Sequence, residues 1–288
     1  MGMPDLFLLP VEGMEEEHWV MTISINPGAP NGGSGTQYFL GDFDGKTFTS
    51  DQEETLWLDY GTDNYAGVTY NNTPNNRRIF IGWMSNWEYA RQTPTEIWRS
   101  ALTLPRTLSL VSTEEGIRLR QQPLVELQNL ETETEIVMQE VPSSSERDAV
   151  FAALQQSKIS LRSTSDNFHL VLSNDSGEEL VYKFNQKTAS VLVDRIQSGV
   201  TDFNPEYGNR QHYMPLDSGQ EVLDVELYLD QSSAELFINK GMGVMTSQVF
   251  PRSPYTKMTI KNLAPSGIVE GIEVKELDNV WRKNPQVY

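Results

Sequence analysis

The sequence predicts an all-β protein made of two consecutive β domains. Three observations carry that expectation. Short runs alternate apolar and polar residues with a period of two, clusters of Gly, Asn, Asp and Ser separate those runs, and 288 residues suffice for two modest domains that each bury a core. Short strands at such spacing suit either a sandwich or the blades of a propeller.

In chain order, Trp19, Met21, Ile23 and Ile25 face opposite to Val20, Thr22 and Ser24, which predicts a strand. The flexible run from Pro27 to Gly35 leads into Tyr38-Phe39-Leu40-Gly41-Asp42-Phe43, and Asp44-Gly45 then predicts a hairpin with a primed turn before Thr47-Phe48-Thr49. Further strands are expected at Ala66 to Tyr70, Arg78 to Met84 and Arg99 to Leu104. Aromatic density falls from Arg118 to Leu130, and the polar stretch from Glu131 to Arg147 reads as a connection, so the expected domains are residues 1–130 and 131–288. Asp148 to Lys158 fits a short helix or an apolar strand equally. Beyond it, Phe168, Leu170 and Leu172 alternate up to the turn Asn174-Asp175-Ser176-Gly177. Leu223, Val225, Leu227 and Leu229 then face opposite to Asp224, Glu226 and Tyr228, with Ala234, Leu236 and Ile238 after the turn at Asp230 to Ser233. This second part reads as a two-sheet sandwich.

Composition removes several function classes. With 40 acidic against 22 basic residues, the formal charge of −18 disfavours attraction to nucleic acid or anionic lipid. No cysteine is present, which excludes disulfides, thiol nucleophiles and Cys-ligated zinc. His18, His169 and His212 show no ligand-like spacing, so no metal site and no cofactor are expected. No apolar run approaches membrane-spanning length, and Met1 to Pro4 carries no signal core. Glu15-Glu16-Glu17 reads as a solvated loop, and Asn71-Asn72-Thr73 and Asn174-Asp175-Ser176 fit a glycan acceptor pattern only in a eukaryotic secretory setting.

Seven segments, in one order over nearly the whole chain, point further. They are Pro4-Asp5-Leu6-Phe7; Gly33-Ser34-Gly35 leading to Tyr38 through Gly45; Asp59-Tyr60-Gly61-Thr62-Asp63-Asn64-Tyr65-Ala66; Gly82-Trp83-Met84-Ser85-Asn86-Trp87; Leu104-Pro105-Arg106; Asp194-Arg195 with Ser198-Gly199; and Glu235-Leu236-Phe237-Ile238-Asn239 running to Phe250-Pro251. Together they resemble the β-fructosidases of glycoside hydrolase family 32, the invertases, levanases and inulinases. The resemblance implies a five-bladed β-propeller followed by a C-terminal β-sandwich, of which this chain would hold only the last propeller blades. It also implies retaining hydrolysis of β-fructosyl bonds in levan, inulin or sucrose, with one carboxylate as nucleophile and another as proton donor.

The family places its nucleophile in a Trp-x-Asn-Asp-Pro motif and a stabilising Asp in an Arg-Asp-Pro motif, and neither occurs in this sequence. Its acid/base Glu stands in a Glu-Cys-Pro-Asp-Leu-Phe segment that here reads Gly2-Met3-Pro4-Asp5-Leu6-Phe7, so Gly2 takes the place of the proton donor. The expectation is a chain inactive on its own, drawn from a longer, secreted or periplasmic hydrolase.

The resemblance leaves Asp59, Asp63, Trp83, Asn86 and Trp87 as substrate-binding candidates and no catalytic residue. A carboxylate at Asp59 suits sugar hydroxyls, although Asp59-Tyr60-Gly61 by itself reads as an Asp closing its own turn. Plant-type relatives often carry lysine where Thr62 stands, which sets the surroundings of Asp63 apart. The indoles of Trp83 and Trp87 suit the C–H faces of sugars or, equally, a packed core. Asn86 offers an amide to a pocket or a cap to a turn. Two other readings compete, the arabinanase and xylosidase propellers and a non-catalytic, lectin-like sandwich. Propeller blades of about 40 to 50 residues give two to three blades before Leu130. An incomplete ring exposes apolar faces and strand edges, from which self-association is expected.

Overall fold

The computed structural model describes residues 2–217 and 220–280, and it is all-β, with four sheets and almost no helix. Two five-stranded sheets come first. β1 (Gly2–Pro10), β2 (Glu17–Ile25), β3 (Gly35–Phe43) and β4 (Phe48–Thr49) lie side by side, with β5 (Leu56–Trp57) also on β3. In the second sheet β6 (Tyr65–Thr69), β7 (Arg78–Met84), β8 (Ala101–Leu102), β9 (Arg106–Thr113) and β10 (Gly116–Pro123) are arranged β10-β9-β7-β6, with β8 on β7. One core joins them. Phe7, Leu9, Val20, Tyr38, Leu58, Phe80, Leu108, Leu110 and Leu119 are buried against one another across the two sheets.

The remaining strands form two six-stranded sheets. One runs β11 (Glu131–Val141), β22 (Val269–Leu277), β13 (Ser157–Ser163), β18 (Leu223–Asp230), β19 (Ser233–Ile238), β20 (Gly243–Gln248). The other runs β12 (Ser145–Val150), β21 (Lys257–Asn262), β14 (Asn167–Ser173), β15 (Glu179–Asn185), β16 (Ser190–Gln197), β17 (Gln211–Pro215). Their inner faces interdigitate in the largest core, in which Leu161, Leu227 and Leu236 of one sheet meet Phe168, Phe184 and Val193 of the other. This is the face-to-face packing that alternating strands require, because each sheet has one apolar face to bury. Phe168 and Phe184, directly opposite in register, stack at 4.4 Å between centroids.

Several expectations need correction. The polar stretch from Glu131 to Arg147 is not a connection, since most of it lies in β11 and β12, each at the edge of its sheet. An edge strand with one solvated face tolerates charge at most positions, so polarity alone does not separate it from a loop. Asp148 to Lys158 is neither helix nor one strand: β12 ends at Val150, and β13 begins at Ser157 after an irregular segment. Asp44-Gly45 sits in a four-residue connection in which only Gly45 is left-handed, and the Asp44 carboxylate accepts from the N–H groups of Lys46 and Thr47. That is an Asx-type turn rather than a primed pair. The predicted strand at Arg99 to Leu104 contracts to Ala101–Leu102. On β2 the alternation holds, but the more buried face carries Val20, Thr22 and Ser24 rather than the larger apolar set. Ser24 is buried because its hydroxyl bonds Thr36 at 3.1 Å and accepts the Ala66 N–H at 3.0 Å.

Candidate functional site

The motif residues converge where the first two sheets meet the open edge of the sandwich. β20 is paired on one side only, with β19. Its other side is closed by residues 59–63, which link β5 to β6. The N–H of Tyr60 donates to the Val244 carbonyl at 2.9 Å, and that of Asp63 to the Thr246 carbonyl at 3.2 Å. The N–H groups of Thr246 and Gln248 donate instead to the carboxylates of Asp59 and Asp63, each at 2.9 Å. Two side-chain carboxylates thus replace the backbone carbonyls of a neighbouring strand, and charge strengthens the bonds. Gly61 marks the closest approach. A Cβ there would lie 2.0 Å from the Thr246 carbonyl oxygen, so only glycine fits.

A second contact seals the neighbouring sheet. The Asn31 amide accepts from the N–H of Tyr213 on β17 at 2.8 Å and donates to the carbonyls of Tyr213 at 2.8 Å and Tyr60 at 2.6 Å. The Gly-rich run after β2 therefore closes the end strand of one sandwich sheet, β17, as residues 59–63 close that of the other, β20.

Each aspartate is also held by a buried arginine. Arg106, at the start of β9, has its guanidinium fully buried and donates to Asp59 Oδ2 at 2.9 Å, Glu235 Oε2 at 2.8 Å, Thr246 Oγ1 at 2.6 Å and Gln121 Oε1 at 3.2 Å. Asp59 further accepts from Thr246 Oγ1, from Asn64 Nδ2 and, as the local turn predicts, from the N–H of Gly61. Glu235 accepts the Leu104 N–H at 2.7 Å with its other oxygen, and burial raises its carboxyl above the ordinary range against the pull of Arg106. Arg195, on β16, donates to Asp63 Oδ2 at 2.7 Å, to the Gln248 carbonyl at 3.0 Å and to Tyr89 Oη at 3.0 Å, with the Tyr207 ring 3.9 Å away. Asp59 and Asp63 are 2% and 0% exposed, and protein donors occupy both oxygens of each. The resemblance brought Arg106, Arg195 and Glu235 into view without assigning them a task. Their charged partners lie 47 to 132 residues away, beyond any local signal.

Asn86 is buried too. Its amide donates to the Thr62 carbonyl at 2.9 Å and the Gly32 carbonyl at 3.3 Å, and accepts from Ser34 and Glu88 N–H groups at 3.3 and 3.0 Å. The two tryptophans differ. Trp87 is 48% exposed and lies 5.0 Å from the half-buried Trp83, which meets Tyr65 edge-on at 6.2 Å. This is an open aromatic surface, linked to the start of β1 through Ala66 and Ser24. Gly2 pairs with Ser24, whose hydroxyl holds the Ala66 N–H beside Tyr65. No atom lies within 4 Å of where a Gly2 side chain would begin.

No cluster of three or more potential metal ligands occurs among the described residues. His18 bonds Glu16 at 2.7 Å, and His169 is half-buried on β14. His212 is fully buried on β17 opposite Val193, and neither ring nitrogen has a hydrogen-bond partner among the described residues. Burial, aided by Arg195 and Arg210, holds its ring well below the ordinary histidine range. The folded chain keeps this ring neutral while the unfolded chain protonates it below a pH of about 6.5. Stability from this residue is therefore complete above that pH and falls as the pH drops, by at most about 1.4 kcal/mol per pH unit. Urea unfolding between pH 5 and pH 8 is expected to show that slope, and His212→Phe to flatten it.

Comparison with known proteins gives a consistent set of likenesses. The profile described as glycosyl hydrolases family 32 N-terminal domain matches residues 1–123, and the one described as glycosyl hydrolases family 32 C terminal matches residues 115–276. The chain is 33% identical over 295 residues to a levanase of Bacillus subtilis (strain 168), covering 98% of this chain and 43% of that protein. It is 29% identical over 294 residues to an extracellular exo-inulinase of Aspergillus niger, covering 96% and 55%. The crystal structure of the exo-inulinase from Aspergillus awamori superposes with a TM-score of 0.85 at 28% identity, over 97% of this chain and 57% of that one. The chain spans about half the length of these relatives.

Proposed function

Because the chain belongs to glycosyl hydrolase family 32, we propose that it is the fructosyl-binding later part of an enzyme that cleaves β-fructosyl bonds of fructans or sucrose. On this reading residues 1–130 supply the last blades of a five-bladed propeller, and residues 131–288 the C-terminal sandwich. The observation that carries the reading is the open surface of Trp83, Trp87 and Tyr65, linked to the start of β1 through Ala66 and Ser24. Flat, rigid indoles suit the C–H faces of a furanose ring. On this reading the position that the resemblance assigns to the proton donor belongs to the same site as that aromatic surface. Asp59, Asp63 and Asn86 serve the same site from beneath, holding its backbone through bonds to β20 and to the Gly32–Gly35 loop.

Gly2 offers no ionisable group, and the sequence lacks the two aspartate motifs, so the 288-residue chain is read as binding fructan without hydrolysing it. Calorimetric titration with levan, inulin and arabinan tests this. Levan or inulin is expected to bind, arabinan not, and no fructose to be released. Trp87→Ala is expected to weaken binding roughly tenfold, about the worth of one aromatic contact. A preference for arabinan, or fructose release by the pure chain, would sink the reading.

Self-association belongs to the same proposal. Ile97, Trp98 and Leu102 form an exposed apolar stretch in and before β8, with Ile97 96% exposed. Light scattering at micromolar concentration is expected to give a mass above that of one chain, and a strictly monomeric mass would count against it.

A further inference from the structure

Trp87 and Tyr89 share one turn but look in opposite directions. The turn is closed by the N–H groups of Tyr89 and Ala90, which donate to the Asn86 carbonyl at 3.1 and 2.8 Å. Its outer side is the exposed Trp87 ring, and its inner side is Tyr89, 1% exposed. The sandwich reaches that inner side. Arg195 Nη2 donates to Tyr89 Oη at 3.0 Å, while Arg195 Nη1 donates to Asp63 at 2.7 Å. Tyr89 Oη itself lies 2.7 Å from Asp63 Oδ1 and 3.0 Å from Thr62 Oγ1. The Thr62 carbonyl accepts from Asn86, so both ends of the turn are tied to residues 62 and 63.

We propose that Arg195 is a positioning residue for the fructosyl-binding surface: a sandwich side chain that sets the orientation of Trp87 through the Tyr89 hydroxyl and the Asp63 carboxylate. The inference rests on the reading of Trp87 as sugar-facing and adds the part that controls it. A planar guanidinium is suited to the task, because its donors leave in fixed directions and hold two acceptors in one geometry. Lysine would keep the charge and lose that geometry. The stacked contact with Tyr207 at 3.9 Å keeps the guanidinium plane from turning. An aromatic surface held this way enters binding already ordered, and loosening it costs affinity without removing any atom that touches sugar.

Two variants of the full chain test the proposal. Tyr89→Phe removes only the hydroxyl, and Arg195→Lys keeps the charge. Each is titrated with levan, and each is examined by fluorine NMR after incorporation of 5-fluorotryptophan, with the Trp87 resonance assigned through Trp87→Phe. Both are expected to weaken levan binding roughly threefold to tenfold, and to shift or broaden the Trp87 resonance while those of Trp19 and Trp57 stay in place. A merely structural role would lower the melting temperature and leave the affinity of the folded protein and the Trp87 resonance unchanged, and that result in Tyr89→Phe overturns the proposal. Should Arg195→Lys fail to fold, Tyr89→Phe still decides. Should the wild-type chain not bind levan, the binding reading falls, and the Trp87 resonance alone decides whether Tyr89 and Arg195 orient that ring.

Discussion

Arg106→Met is expected to destabilise the chain by about 3–5 kcal/mol, the usual cost of removing one partner from a buried ionic cluster. Arg106 is the cation between Asp59 and Glu235, and it is buried together with both. Methionine fills similar space but removes one charged donor from each of two carboxylates and from the Thr246 hydroxyl and the Gln121 side-chain carbonyl. The loss of 3–5 kcal/mol corresponds to a fall in melting temperature of roughly 10 °C for a chain of this size. The deficit has a pH signature. Burial already raises the Glu235 carboxyl, and without Arg106 only the Leu104 N–H is left to oppose that shift. A carboxyl whose folded pKa lies above its unfolded value stabilises the fold at low pH and loses that contribution as the pH rises. The gap between Arg106→Met and wild type is therefore expected to narrow as the pH is lowered from 7 towards 4.5, as read by urea unfolding at each pH. Arg106→Lys is expected to recover only part of the loss, because one ammonium cannot reproduce four directed bonds. A gap below about 1 kcal/mol at pH 7 would show that the cluster is not what joins the first sheets to the sandwich.

Much of the fold was legible because burial imposes a period of two. Arg78 to Met84, a short strand expected between turn residues, coincides with β7, and the alternations at Phe168 and Leu223 fall in β14 and β18. β11 and β12 escaped because edge strands with solvated faces look like polar loops. The candidate site was legible as a set of positions and less so as a set of roles. Asp59 and Asp63 stand out as carboxylates near expected turns, and Asp59 does close its own turn onto Gly61. Their other donors come from Arg106, Arg195, Thr246 and Gln248, and no pattern within residues 59–63 announces strand edges so distant in sequence. Trp83 and Trp87 pose the same difficulty in miniature. Four residues apart on one segment, they are separated in exposure by a turn whose shape depends on Asn86 reaching residues 32, 34 and 62.

Asp63→Ala is the complementary experiment, and it is expected to cost about 3–5 kcal/mol without that pH dependence. The group left unpaired is Arg195, a guanidinium that does not give up its proton in a protein. Lowering the pH therefore offers no relief, and the deficit is expected to stay constant between pH 7 and pH 5. Part of the charge remains accommodated by the Gln248 carbonyl and by the rings of Tyr207 and Tyr89, at 3.9 and 5.5 Å. That contribution places the expected loss near the lower end of the range. The substitution also removes the acceptor of the Gln248 N–H and the partner of the Tyr89 hydroxyl, so residues 59–63 lose one of their two carboxylate anchors on β20. Asp63→Asn retains an acceptor for one of these donors and turns an amide N–H towards another, which predicts an intermediate loss. Measured side by side, Arg106→Met and Asp63→Ala separate two ways of losing the same interface. One leaves acid that protonation can neutralise, and the other leaves a cation that it cannot. Parallel pH dependences for the two variants would mean that neither ion pair governs how the sandwich holds this segment.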